Sequence, residues 1–176
     1  MPNPIAPLVR TISNREAQKE ARRLFTQIEK KGKKVPAWMR VMANCEDILA
    51  GFWQMFTATM DNKPVNRALK WKIAYRVSQL NRCAFCVDVS KLKLEEFGVG
   101  EKELASLDQD LKPKEKAALA FAEEVTQHAY NVKPTTFKNL KKYFSDEQIV
   151  EITSVIGLFN FINRFNDALR ILPQPK

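Results

Sequence analysis

The sequence predicts an all-α fold, a single-domain helical bundle, and three observations carry that prediction. Apolar residues recur at three- and four-residue spacing through most of the chain, the period of a helix with one buried face. Only 5 glycines and 9 prolines interrupt 176 residues, and the prolines fall in the first seven residues, near segment ends and in the C-terminal tail. No alternating segment of strand length, internal repeat or low-complexity stretch competes with that pattern outside the tails. At 45% hydrophobic and 28% charged, the chain is long enough for one sizeable core. The expected organisation is an arm over residues 1–13, a helical domain over 14–172 and a tail over 173–176.

The elements follow in order. From Asn14 to about Lys31, Ala17, Ala21, Leu24, Phe25 and Ile28 mark an amphipathic helix that Gly32 ends. Pro36 opens an apolar helix or pair of helices through Val41, Leu49, Phe52, Trp53 and Phe56 up to Met60, and Asp61-Asn62-Lys63 turns the chain. Pro64 starts a segment through Leu69, Ile73, Val77 and Leu80, with a break at Asn81-Arg82. The next helix opens on cysteines and closes at Gly98 and Gly100, residues suited to a left-handed cap. Glu101–Leu107 reads as a short helix, Pro113 starts another, and Pro134 a further short one ending near Phe144. Ser145-x-x-Gln148 forms a capping box ahead of a last helix so apolar, from Ile149 to Phe161, that it is expected to be central.

Charge and composition narrow the function classes. The N-terminus lacks the charged and apolar regions of an export signal, and no apolar run approaches a membrane span, so a cytoplasmic protein is expected. Three cysteines fit a thiol function or burial better than a disulfide framework. The net charge is +9, yet Lys30-Lys31-Gly32-Lys33-Lys34 lies between helices, and Lys138, Lys141 and Lys142 read as a solvated face. No groove-reading motif or aromatic platform accompanies them, so neither nucleic acid nor membrane is an expected partner.

Cys83-Ala84-Phe85-Cys86 is the sharpest chemical feature, because a spacing of three puts both sulfurs on one helical face within disulfide range. At a helix N-terminus, unpaired amides and the macrodipole favour the thiolate, the reactive species. Two competing readings are small apolar residues in a packing face and a zinc site. Zinc would need two more ligands, for which the chain offers only Cys45 and the single His128. No metal and no cofactor beyond a redox-active disulfide are therefore expected. Cys45, in an apolar region, reads as a packed side chain, and His128 as a helix-end residue.

The segment Arg76-Val77-Ser78-Gln79-Leu80-Asn81-Arg82-Cys83-Ala84-Phe85-Cys86 closely resembles the active-site segment of the alkylhydroperoxidase D family, part of the carboxymuconolactone decarboxylase superfamily. The resemblance extends to Trp38–Ala43 and to Leu158–Asp167 with its Asn-Arg element, and so spans most of the chain after Pro36. It implies a peroxidase or thiol–disulfide oxidoreductase acting on a peroxide or disulfide. A lipoyl group or another dithiol would be the electron donor, and the assembly a homotrimer or homohexamer built on helices rich in Trp53, Phe56 and Phe159. Cys86 becomes the cysteine beside the proton relay. That relay normally has a histidine four residues after this cysteine and a glutamate twelve before the first, positions that hold Ser90 and Trp71 here.

A serine hydroxyl can hydrogen-bond a thiolate but is no proton acceptor near neutral pH. Ser90 is retained as a site residue beside the cysteines, with Tyr75, Lys72 and Lys91 as accessory candidates; the plain alternative for each lysine is a solvated surface charge. Loss of both relay groups supports a second reading, a catalytically degenerate relative acting as a small-molecule-binding or oligomeric scaffold. A lactone decarboxylase ranks last, since the cysteine pair resembles the hydroperoxidase branch.

Overall fold

Helix starts in this chain are set by prolines and by short polar side chains that catch the free amides of a first turn. The computed structural model describes residues 6–61, 63–100, 104 and 111–173. Among these there is no strand; the elements are α1 (Lys19–Glu29), α2 (Ala37–Met42), α3 (Glu46–Met60), α4 (Arg67–Leu80), α5 (Ala84–Glu95), α6 (Pro113–His128), a 3-10 turn (Ala129–Asn131), α7 (Pro134–Leu140) and α8 (Asp146–Ala168). The expected short helix at Glu101–Leu107 lies, apart from Leu104, outside the described residues.

Pro113 and Pro134 each occupy a first-turn position. The Ser145 amide donates to Gln148 Oε1 at 3.1 Å and the Gln148 amide to Ser145 Oγ at 3.3 Å, so the expected capping box starts α8. Gly98, at φ 80°, ends α5 with the Val99 amide reaching back to the Leu94 carbonyl.

Two helix starts differ from the sequence expectation. The α1 helix begins at Lys19 rather than Asn14, because Ser13 and Glu16 close a separate turn and Lys19 sits at φ 28°. The α4 helix begins three residues after Pro64, where the Asn66 side chain accepts from the Leu69 amide at 2.8 Å.

The chain divides into two compact units. One comprises residues up to Ala58 together with Phe165 onward. In it Trp38, Phe52, Trp53 and Phe56 form an aromatic cluster, Trp53 stacking on Phe56 at 5.7 Å. A groove of about 370 Å³ lined by Glu20, Arg23, Trp53 and Thr57 also belongs to this unit. The other unit, Thr59–Arg164, contains every residue of the cysteine site. Its core includes Ile73, Ala74 and Val77 of α4, Leu94 of α5, Ala118 and Ala122 of α6, and Ile152, Val155 and Ile156 of α8, all fully buried. The α8 helix is less enclosed than its composition predicts: Val150 and Phe161 are 66% and 47% exposed, so one stripe stays uncovered in the single chain. No helix among the described residues is long and apolar enough to cross a membrane.

Candidate active site

The cysteine pair sits at the corner between α4 and α5, which pack directly against each other. Arg82 takes a left-handed φ of 59° immediately after α4. Its amide donates to the Gln79 carbonyl at 3.0 Å, and the Cys83 amide to the Ser78 carbonyl at 3.1 Å. This double closure is a Schellman cap, here with arginine where glycine is usual. It turns the chain so that Cys83 becomes the N-cap of α5, with the Val87 amide returning to its carbonyl at 2.9 Å. Cys86 falls on the first turn of the same helix, and the two cysteines are joined as a disulfide with Cα atoms 5.3 Å apart. Both are buried, 0% and 4% exposed.

A partly buried amide network holds this corner. The Asn81 side chain, two residues before Cys83, donates to Asn163 Oδ1 at 2.9 Å and to Asn160 Oδ1 at 3.1 Å. Asn163 in turn donates to Ser78 Oγ at 3.2 Å, and Ser78 to the Ala74 carbonyl at 2.7 Å. Asn160 donates to Thr126 Oγ1 on α6 at 3.3 Å and accepts from Arg164 at 2.7 Å. The network thus ties α8, and through it α6, to the last turn of α4. Sequence reasoning placed the Asn-Arg element by resemblance without finding its partner. The available signal was the recurrence of Asn160, Asn163 and Asn166 every third residue in an otherwise apolar helix.

Ion pairs fasten α4 elsewhere. Lys72 Nζ lies 3.0 Å from Glu115 Oε1 and Arg76 lies 2.9 Å from Glu123, both acids being on α6. Lys72, 7% exposed, is therefore a buried, paired cation and not the solvated charge that was its plain alternative. Lys70, which sequence reasoning did not single out, is fully buried and donates to the Thr59 carbonyl at 2.8 Å, the Asp61 carbonyl at 2.6 Å and the Glu151 carboxylate.

Ser90 is fully buried one turn beyond Cys86 on α5, and its hydroxyl has no hydrogen-bond partner among the described residues. Trp71, at the other vacated relay position, is 4% exposed with its ring edge-on to Phe159 at 5.7 Å and its indole N–H also without a hydrogen-bond partner among the described residues. Tyr75 and Lys91 are half-buried on α4 and α5. His128 ends α6 exposed, its ring edge-on to Tyr130. Cys45 corrects an expectation: it is exposed at the turn before α3 rather than packed in a helix, because α2 stops at Met42 and the Cys45 carbonyl begins the next helix by accepting from Leu49.

An all-α fold that presents a buried Cys-x-x-Cys pair at the N-terminus of a helix defines a class of thiol protein, and the chain belongs to the alkylhydroperoxidase D-like superfamily. No protein-family model matches the sequence. Uncharacterized protein YnjA of Escherichia coli K12 is 31% identical over 127 residues, which cover 68% of this chain and 70% of that one. The crystal structure of an alkylhydroperoxidase D core, a peroxidase-related protein of Ralstonia eutropha JMP134, matches 98% of this chain and 94% of its own at TM-score 0.86 and 22% identity. The debrominase Bmp8, solved as a cysteine-to-alanine variant with 2,3,4-tribromopyrrole, matches 94% and 90% at TM-score 0.81 and 24% identity.

Proposed function

We propose that this chain is a thiol–disulfide oxidoreductase or peroxidase in which Cys83 and Cys86 cycle between dithiol and disulfide. The observation that carries the reading is the placement of both sulfurs at the start of α5, where first-turn amides without helical partners and the helix dipole favour the thiolate. With a peroxide, the Cys86 thiolate attacks one oxygen, the O–O bond breaks, and the alcohol or water leaves with a proton. Cys83 then attacks the sulfenic sulfur, forming the disulfide and releasing water, so the two thiols supply both electrons. A lipoyl group or other external dithiol returns them.

The proton relay is atypical, since Trp71 and Ser90 offer hydrogen bonds but no base. Tyr75, Lys91 and the Lys72–Glu115 pair are the groups to examine for proton transfer. Assembly as a homotrimer or homohexamer in the cytoplasm is part of the proposal, supported by the uncovered stripe on α8. The polar atoms of Trp71 and Ser90, without a hydrogen-bond partner among the described residues, favour a second reading, a degenerate scaffold that binds a small molecule without turnover. Steady-state assays separate the two: wild type should consume peroxide or a disulfide in the presence of a dithiol, and Cys86→Ser should abolish this. Equal background rates for both proteins would reject the enzyme and leave the scaffold.

A further inference from the structure

We infer that Trp71 and Ser90 form a buried donor subsite beside Cys86, which holds one acceptor atom of a neutral, largely apolar ligand. The inference rests on the redox reading only in taking that ligand to be the substrate. The register of the corner brings the two residues into correspondence. Ser78 and Cys83 are joined by a backbone hydrogen bond, and Trp71 lies seven residues before the first while Ser90 lies seven after the second. Each is two turns, about 10 Å, along its helix from that joint. Cys86 and Ser90, four apart, share a face of α5.

Both the Trp71 indole nitrogen and the Ser90 hydroxyl are buried with no hydrogen-bond partner among the described residues, whereas nearly all buried polar groups in folded proteins have one. Ser90 is also unlike other hydroxyls in this chain. Thr26, Thr57, Ser78, Thr153 and Ser154 each bond the carbonyl four residues back, the local outlet for a helical hydroxyl, and Ser90 does not. An indole N–H only donates, so the complementary group is an acceptor. The surroundings, Phe159 against Trp71 and the buried cysteines and Leu94, make a charged ligand costly there. A neutral molecule with an apolar body and one oxygen or similar acceptor fits, and a multiply charged disulfide such as oxidised glutathione does not. Because both residues are buried, entry requires local opening.

The test uses the oxidised protein, so binding is read apart from turnover. 2-Phenyl-2-propanol, and 2-phenylpropane as the hydrocarbon of matching shape, are titrated against wild type, Trp71→Phe and Ser90→Ala by NMR, and unliganded melting curves are recorded. Each lost hydrogen bond should weaken alcohol binding about two- to twelvefold and leave the hydrocarbon unaffected. Ser90→Ala should melt at the same temperature or higher, because an unmade buried hydrogen bond is being removed, whereas Trp71→Phe also loses core volume and should melt lower for that reason alone. Failure of the alcohol to bind, equal binding in all three proteins, or a lower melting temperature in Ser90→Ala, the sign that a resident water already pairs its hydroxyl, would overturn the subsite. Loss of alcohol binding in the variants together with thiols inert to peroxide would keep the subsite and reject the redox reading; normal turnover with unaltered binding would do the reverse.

Discussion

The Lys70–Glu151 pair gives the sharpest energetic expectation. The Lys70 side chain is 0% exposed and that of Glu151 11%. All three ammonium donors are used, on the Thr59 and Asp61 carbonyls and the Glu151 carboxylate, while Glu151 Oε2 accepts from the Val65 amide at 3.0 Å. Removing one partner leaves the other charge buried and uncompensated, so Lys70→Met and Glu151→Gln should each cost about 3–5 kcal/mol. At about 2–4 °C per kcal/mol for a chain of this size, each lowers the melting temperature by about 6–20 °C. The double variant has no orphaned charge, and its cost should resemble that of one single variant instead of their sum, a coupling of at least about 2 kcal/mol. Urea denaturation of the four proteins measures the cycle, with the m-value expected to be constant. Single costs below about 1 kcal/mol, the range of exposed pairs, or strict additivity would show that the pair is not a buried, mutually dependent one.

Asn163→Ala removes the hydrogen bonds to Asn81 and Ser78, each of which keeps a second partner, so the loss should be about 1–3 kcal/mol. Thiol oxidation by peroxide, followed in the same samples, should slow as the corner loosens, and an unchanged rate would mean that the amide network does not position Cys83. Arg82→Gly exchanges a left-handed steric cost of about 1–2 kcal/mol for about 0.5–1 kcal/mol of added backbone entropy, so melting should hold or rise slightly. Arg82→Val should melt lower, and coincident curves for the two would contradict the cap. The Lys133 amide, with help from Thr136, holds the Glu124 carboxyl below its ordinary value of 4.5. Its contribution is therefore complete above 4.5 and lost as pH falls through the lowered value. Glu124→Gln should flatten that part of the acid limb in a stability-versus-pH series, and an identical limb would remove Glu124 from the account.

Much of the helix plan was legible because prolines, a capping box and Gly98 act locally, through backbone groups that the sequence names directly. The α1 start was not, since Ala17, Ala21 and Leu24 keep helical spacing straight through the positive φ of Lys19, and side-chain periodicity does not register a backbone break. The Cys83-x-x-Cys86 pair and its corner were visible because Asn81-Arg82 interrupts the α4 pattern just before them. Lys70 was invisible for the opposite reason: it lies among Arg67, Lys72 and Arg76, and only tertiary packing decides which of those cations loses its water. Trp71 and Ser90 could be named as departures from a resembling motif, whereas their lack of partners is a property of the folded chain alone.

Whether Cys83 and Cys86 are a redox pair is decided by counting thiols. Reduced protein is treated with one equivalent of hydrogen peroxide, alkylated and mapped by mass spectrometry, with the exposed Cys45 as internal reference. The account requires Cys83 and Cys86 to be lost together as a disulfide while Cys45 remains alkylatable, and both to return after treatment with a dithiol. Oxidation of Cys45 alone, with Cys83 and Cys86 left as thiols, would contradict it.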